Sequence, residues 1–318
     1  MNDQILKVAV VGCGARGKNH LDTIVNFPDV DIVAICDPVQ EARTNLASAY
    51  KIKNSYGDIN EMISHHKIDM AVVATPAHLN GACALPVIEA GIHTLMEKPP
   101  GLSGSETKIL YEASKKSGAK VLIGWNRRFN SLIREAKLQI EENGPITQIV
   151  GEFHKSMTQL RKRGYPDFLL DNFIYETPIH ALDLIRFLAN GSPVEDFQAY
   201  ARRATSDYVD VYAALIRFTN GCVAQFTANF TTAARLERYE IHGKDCSAYL
   251  EGIDTLKIEK ENQKEIIDKI SSNGTAEQAR FLIDCIKKEK SVEFPAASLS
   301  EAIKTMELAD QIRAKLVV

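Results

Sequence analysis

The sequence predicts an α/β chain in two parts: a doubly wound domain on a parallel sheet, then an α+β domain rich in antiparallel strands. Three observations carry that prediction. Apolar, strand-like runs alternate with amphipathic helical segments from residue 1 to about 123, the pattern of right-handed βαβ crossovers. The first of those runs breaks into Gly12-Cys13-Gly14-Ala15-Arg16-Gly17. After Gly124 the texture changes to β-like runs at 194–204, 209–219, 222–232, 236–243, 247–251 and 254–260.

Val8 to Val11 is a continuous apolar, β-branched run, as a strand buried on both faces requires. The G-x-G-x-x-G turn follows, then a helix-compatible segment from Lys18 to Phe27. A second strand, Asp31 to Cys36, ends in Asp37, twenty residues past Gly17. Gly12 allows a tight turn, Gly14 lets a diphosphate approach the backbone, and Gly17 lets helix and strand pack closely. The N-terminus of that helix, with Ala15 and Arg16 in the turn before it, offers free N–H groups and a partial positive charge. Asp37 is placed to accept hydrogen bonds from ribose hydroxyls and to repel a 2′-phosphate. These residues predict a Rossmann domain binding NAD in preference to NADP, with Arg16 and Arg43 keeping NADP open.

The remaining front elements follow in turn. Val39 to Tyr50 reads as a helix, and Ile59 to His65 as a short one capped by Asp58. Met70 to Ala74 is a third strand, ended by Thr75-Pro76. Leu79 to Ala90 is a helix stopped by Gly91. His93 to Met96 is a fourth strand, ended by Glu97-Lys98-Pro99-Pro100. Ser103 and Glu106 form a capping box for a helix running to about Ser117, and Lys120 to Ile123 is a fifth strand.

Behind Gly124, Ser131 to Glu142 is helical, Ile146 to Met157 alternates like a strand, Arg161 to Asp171 reads as a charged, aromatic loop, and Pro178 to Ala189 is a helix. Asn220-Gly221 signals a two-residue hairpin turn. That turn places Val211, Ala213 and Leu215 on one face with Ala224, Phe226, Ala228 and Phe230. Tyr212, Ala214, Ile216 and Phe218 fall on the other with Val223. Both faces are more apolar than a half-solvated sheet requires, so a homodimer or homotetramer formed through this sheet is expected. The expected division is a dinucleotide-binding domain over 1–123, a substrate-binding and oligomerisation domain over 124–296, and a C-terminal helix over 297–318 packing back on the first.

Composition excludes other classes. With 318 residues, 45% hydrophobic and 25% charged, the chain is an ordinary globular one. A net charge of −3, with no basic run interleaved with aromatics, argues against a nucleic-acid partner. No apolar stretch approaches the roughly 20 residues of a membrane helix, and the polar Met1-Asn2-Asp3-Gln4 start is not expected to be a signal peptide. The six cysteines are scattered, with no C-x-x-C or Cys/His cluster. No metal site is expected, and the chain reads as cytoplasmic.

Lys98 should stand beyond the carboxyl end of a strand, where open α/β sheets bind ligands. There its ammonium can hold a substrate oxygen and a developing alkoxide, although this tripeptide alone equally suits a solvated loop. Glu176-Thr177-Pro178-Ile179-His180-Ala181-Leu182-Asp183 opens the long helix of the second part. Pro178 fits only a first turn, so Thr177 is the expected cap. His180 lies in the first turn, where the helix dipole disfavours imidazolium, and Asp183 shares its face.

Together, the glycine turn, the acid ending the second strand, Thr75-Pro76, Glu97-Lys98-Pro99 and E-x-x-x-H-x-x-D resemble the Gfo/Idh/MocA oxidoreductase family. The resemblance extends over nearly the whole chain. It includes Gly124-Trp125-Asn126-Arg127-Arg128-Phe129-Asn130, like that family's G-x-x-x-R-F-x segment. It implies a Rossmann domain followed by an α+β domain with an open-faced, mostly antiparallel mixed sheet, NAD(P) between them, and a sugar, polyol or sugar-acid substrate. It also implies that Lys98 and His180 are catalytic, with Glu176 as the acid four residues before the histidine and Asp183 as support. Thr75, Pro76, His78, Glu97 and Lys98 fall on the cofactor side. Arg127 and Arg128, with Lys98, Glu176 and His180, fall on the substrate side. The basic loop carrying Arg163 and Tyr165 either faces the pocket to bind a carboxylate or phosphate or is solvated, and Trp125 is packing or a wall of the site. Two departures stand out: Glu176 replaces the usual Asp, and Ala77-His78-Leu79-Asn80 follows Thr75-Pro76 where T-P-N-x-x-H is frequent. A catalytically silent NAD(P)-binding regulator, and an enzyme using bound NAD for net non-redox sugar chemistry, are the alternatives on this scaffold.

Overall fold

The computed structural model describes residues 5–261, 263–267 and 272–317; the first four residues of the expected non-signal N-terminus lie outside them. Two compact units divide the chain. One comprises Met1–Trp125 with Thr275–Ile303, the other Asn126–Gly274 with Lys304–Val318.

The first unit contains β1 (Leu6–Val11), α1 (Ala15–Ile24), β2 (Val30–Cys36), α2 (Gln40–Tyr50), β3 (Ser55–Tyr56), α3 (Ile59–His65), β4 (Met70–Val73), α4 (Asn80–Glu89), β5 (His93–Met96), α5 (Gly104–Ser117) and β6 (Val121–Ile123). Its strands pair in the order β3-β2-β1-β4-β5-β6, all in parallel. The apolar runs have their cause here. All four residues of β4 are fully buried, because helices cover both faces of such a sheet. The two-residue β3 has no apolar run to betray it, so the third, fourth and fifth strands expected from sequence are β4, β5 and β6. Asp58 caps α3 through the Glu61 amide (2.9 Å), and Ser103 caps α5 through the Glu106 amide (3.2 Å).

The second unit opens with a 3-10 turn (Asn126–Phe129), α6 (Ser131–Glu141) and β7 (Gln148–Ser156). The stretch expected as a loop from Arg161 carries two short helices, α7 (Met157–Lys162) and α8 (Asp167–Asp171). After α9 (Ile179–Leu188) come β8 (Val194–Arg202), β9 (Val211–Phe218), β10 (Val223–Asn229), β11 (Thr231–Gly243), β12 (Cys246–Glu251), β13 (Thr255–Lys260) and β14 (Gln263–Ile267). The chain ends with α10 (Thr275–Lys287), α11 (Leu299–Arg313) and β15 (Leu316–Val317). Among the described residues, nine strands pair in the order β14-β13-β12-β11-β7-β10-β9-β8-β15. The β7–β10 and β8–β15 pairs are parallel and the rest antiparallel.

Helix α9 explains the sheet's inner face. All ten of its residues are buried, and Gly151 on β7 lies so close that a Cβ there would stand 2.9 Å from Ile185 Cδ1. Only a missing side chain admits that approach.

The β9–β10 register corrects one expectation. Phe218 pairs with Cys222, its amide donating to the Cys222 carbonyl at 2.9 Å, and Gly221 has φ +85°. The loop therefore holds three residues, Thr219 to Gly221, with glycine in the left-handed position. One extra loop residue exchanges the faces. Tyr212, Ala214, Ile216 and Phe218 share the buried face with Ala224, Phe226, Ala228 and Phe230. The opposite face carries Tyr200, Leu215 and Val223, which are 65%, 54% and 36% exposed, alongside Gln225 and Glu152.

The expected domain boundaries also shift. Helix α10 belongs to the first unit, tied to its body where Asp29 takes Arg280 at 2.8 and 2.9 Å and Lys287 at 2.8 Å. The Ile123 amide donates to the Ala297 carbonyl at 2.9 Å, and Leu122 bridges to Ser298, so residues from Thr275 to Ile303 complete the β6 side. No local pattern in α10 could announce a partner some 250 residues earlier.

The register yields a direct test. Ile216→Ala should cost about 2–5 kcal/mol of unfolding free energy in urea denaturation, whereas Leu215→Ser should stay within about 0.5 kcal/mol. The reverse ranking would restore the two-residue turn.

Candidate active site

In the first unit the glycine turn is built as close packing demands. Gly12 has φ +97°, and a Cβ there would lie 2.5 Å from the Ala74 carbonyl oxygen; a Cβ at Gly17 would lie 1.9 Å from the Gly12 carbonyl oxygen. Gly14 faces open space. Gly14, Ala15 and Arg16 are exposed at the start of α1, where the first N–H groups of a helix have no internal acceptor. A cavity of about 790 Å³ opens beside them, lined among others by Gly12, Gly14, Arg16, Asp37, Thr75 and Pro76.

Asp37 stands at the rim on the end of β2. Its Oδ2 accepts from the Cys13 amide and its Oδ1 from the Val39 amide, both at 2.8 Å. Each carboxylate oxygen keeps a further lone pair, so the carboxylate is fixed in place yet able to accept from a diol. Arg43 is committed to the carbonyls of Asp37 and Pro38, at 3.1 Å each. An open glycine cradle, a helix start and a pinned acid fit a dinucleotide with an unphosphorylated adenosine ribose.

Other residues expected on the cofactor side lie differently. Among the described residues, His78, Glu97 and Lys98 do not line that cavity. Glu97 is buried, its Oε1 taken by Arg16 Nη2 (2.7 Å) and His20 Nε2 (2.8 Å). Lys98 is half-buried at the end of β5. Asn80, in the segment that departs from the family pattern, is fully buried and donates through Nδ2 to the carbonyls of Glu97, Lys98 and Pro99. Trp125 is also buried, 1% exposed.

In the second unit His180 is buried in the first turn of α9, its amide donating to the Thr177 carbonyl at 3.1 Å. The Thr177 hydroxyl is not the cap; it accepts from Lys155 Nζ at 2.9 Å. Lys155, at the end of β7, also lies 3.8 Å from Glu176 Oε2 and over the Phe173 ring. Sequence reasoning missed this lysine, because the alternation of β7 marks its faces but not its neighbours. Tyr165 packs edge-on against Phe173. Burial first, and the Glu176 charge second, push its phenol up. Lys155, Tyr165, Glu176 and His180 thus gather around the start of α9, while Arg163 is exposed.

Asp183, Arg128 and Arg127 are committed elsewhere. Arg128 Nε and Nη2 donate to Asp183 Oδ2 and Oδ1 at 2.8 and 2.6 Å, both side chains being 1% exposed. This fork leaves the Asp183 carboxylate aimed at Arg128. Arg127 makes the same bidentate contact with Glu237, at 3.1 Å for each bond, and Tyr239 and Arg235 join it. Burial works to raise the Glu237 carboxyl, but Arg127 and then Arg235 hold it below its usual range. Side-chain type and spacing drew these charges toward the site; the fold spends them on one another. Among the described residues no group of His, Cys, Asp and Glu is arranged to hold a metal ion, and no helix is long and apolar enough to cross a membrane.

Comparison with known proteins agrees with both units. Residues 6–125 match the family model described as the oxidoreductase family, NAD-binding Rossmann fold, of GFO/IDH/MocA type, and residues 133–249 match the GFO/IDH/MocA C-terminal domain. The chain is similar to 4-carboxy-2-hydroxymuconate-6-semialdehyde dehydrogenase of a Sphingobium species, 25% identical over 58% of this chain and 59% of that protein. It is similar to inositol 2-dehydrogenase of Salmonella paratyphi B, 26% identical over 58% and 55%. The matched region thus spans a little over half the length of these curated relatives. The fold is also that of UDP-N-acetylglucosamine 3-dehydrogenase from Acidithiobacillus ferrooxidans, with TM-score 0.82 and 21% identity over 98% of this chain and 97% of that one.

The Arg128–Asp183 pair carries a prediction. Arg128→Ala should lower stability by about 3–5 kcal/mol by stranding a buried carboxylate, while Arg128→Met with Asp183→Leu should recover most of the loss. Chemical denaturation of the three variants decides it. A double variant no better than the single would mean that Asp183 serves more than this pair.

Proposed function

Because the chain belongs to the Gfo/Idh/MocA oxidoreductase family, we propose that it is an NAD-dependent oxidoreductase acting on a secondary hydroxyl of a sugar, polyol or sugar acid. One observation carries the reading: the open glycine cradle and pinned Asp37 stand in the same unit as Lys98, which follows β5, two strands across the sheet from β1. Dehydrogenases of inositol and of a UDP-sugar among the similar proteins support the substrate class.

Bound NAD supplies the two-electron acceptor at its nicotinamide. The chain supplies the rest. Gly12, Gly14, Ala15, Arg16 and Gly17 hold the diphosphate, Asp37 the adenosine ribose, and Thr75 and Pro76 the ring side. Lys98 donates to the substrate oxygen and offsets the negative charge developing on it. His180 accepts the hydroxyl proton as general base. Glu176, with Lys155 beside it, orients the substrate, and Tyr165 and Arg163 contribute polar contacts. Arg127, Arg128 and Asp183 hold the frame of this site from their buried ion pairs, and Trp125 serves as packing.

Two further parts of the reading concern the whole molecule. The partly apolar outer face at Tyr200, Leu215 and Val223 supports association of two or four copies. The six free cysteines support a reducing, cytoplasmic setting.

Against a panel of inositols, aldoses and uronic acids, NAD reduction followed at the nicotinamide absorbance should reveal a substrate. His180→Ala should then lower kcat by about 10²- to 10⁴-fold, with NADH binding changed by less than about threefold, and Lys98→Ala should behave likewise. Turnover unchanged in His180→Ala would discard the base assignment. Product formed without net nicotinamide reduction would favour the non-redox alternative. Gel filtration at low concentration should give a species larger than one chain; a clean monomer would remove the association.

A further inference from the structure

The Glu97 side chain has no part in the reading above, yet it is one of the most tightly held groups in the first unit. Its carboxylate is buried among Arg16 and His20. Arg16 lines the dinucleotide cavity from the first turn of α1, with its side chain 48% exposed. His20, a turn further along the same helix, is 1% exposed. The residue after Glu97 is Lys98. The Lys98 carbonyl accepts from Asn80 Nδ2 at 3.2 Å, and the same amide reaches the carbonyls of Glu97 and Pro99 at 3.1 and 3.3 Å. Asn80 Oδ1 in turn accepts from the Thr75 hydroxyl at 2.9 Å. The tripeptide is therefore clamped twice, by its main chain to the start of α4 and by its first side chain to the start of α1.

We propose that Glu97 is a positioning residue. Its carboxylate couples the turn that cradles the cofactor diphosphate to the tripeptide presenting Lys98, so that filling the cradle sets where Lys98 stands. The chemistry of the pair supports it. A guanidinium carries five N–H donors, so Arg16 can hold Glu97 and a diphosphate oxygen together. Burial works to raise the Glu97 carboxyl, but the His20 hydrogen bond and the Arg16 charge bring it down to about 2. It stays ionised at working pH, and a buried charge resists losing its partners. Lys98's part in turnover rests on the dehydrogenase reading; the coupling itself does not.

The test uses the full chain with its lysines reductively methylated by ¹³C-formaldehyde, the Lys98 resonance being assigned by its loss in Lys98→Arg. Adding NAD⁺ should move that resonance in the parent. In Glu97→Gln and Arg16→Gln the movement should be lost, while NADH titrated by fluorescence still binds within about tenfold of the parent. On the sugar the parent oxidises, kcat should fall about 10- to 100-fold with KM within about threefold, and Glu97→Asp should recover part of it. A parent resonance that ignores NAD⁺ overturns the proposal. So does a Glu97→Gln variant that melts lower but keeps both the resonance shift and kcat. Should Glu97→Gln not fold, Arg16→Gln, altered at a half-exposed side chain, decides alone. If the parent oxidises nothing, the dehydrogenase reading fails and the resonance still judges the coupling.

Discussion

The approach of Gly17 to the Gly12 carbonyl is the contact on which the first unit depends. No side chain fits between them, so the chain must fold back within five residues and start α1 there. That reversal aims the first helical N–H groups outward, brings the Cys13 amide onto Asp37 and delivers Arg16 to Glu97. A larger residue at position 17 would open the turn, and the acid, the arginine and the helix start would lose their common reference together. The cavity beside them is a product of this packing.

Much of this was legible in the chain. Continuous apolar runs revealed the parallel strands because two covered faces leave no polar position, and the spacing from Gly17 to Asp37 revealed the cradle because one βαβ unit fixes it. Legibility failed where geometry rather than composition decides. A third loop residue at Thr219 exchanged the faces of a hairpin whose two sides are nearly equal in hydrophobicity, and Ser55-Tyr56 is too short to carry a pattern.

The charged residues show the same divide. His180 could be placed in a first turn because Pro178 restricts what precedes it. Asp183, Arg127 and Arg128 could not be placed, because a sequence presents every arginine and aspartate alike and only the fold shows Arg128 paired with Asp183 and Arg127 with Glu237, out of water. Lys155 and His20 were missed for the converse reason. Each gains its meaning from a neighbour distant in the chain, such as Glu97 from His20, 77 residues on.

The discontinuity of the first unit has a consequence for biosynthesis. Residues from Thr275 to Ile303 supply the helix that Asp29 grips and the segment bridged to Leu122. The nascent N-terminal sheet therefore cannot close that side until residues 275–303, far downstream of β6, have been made. In the interval, the flank of β6 and the surface of α1 are bare to chaperones.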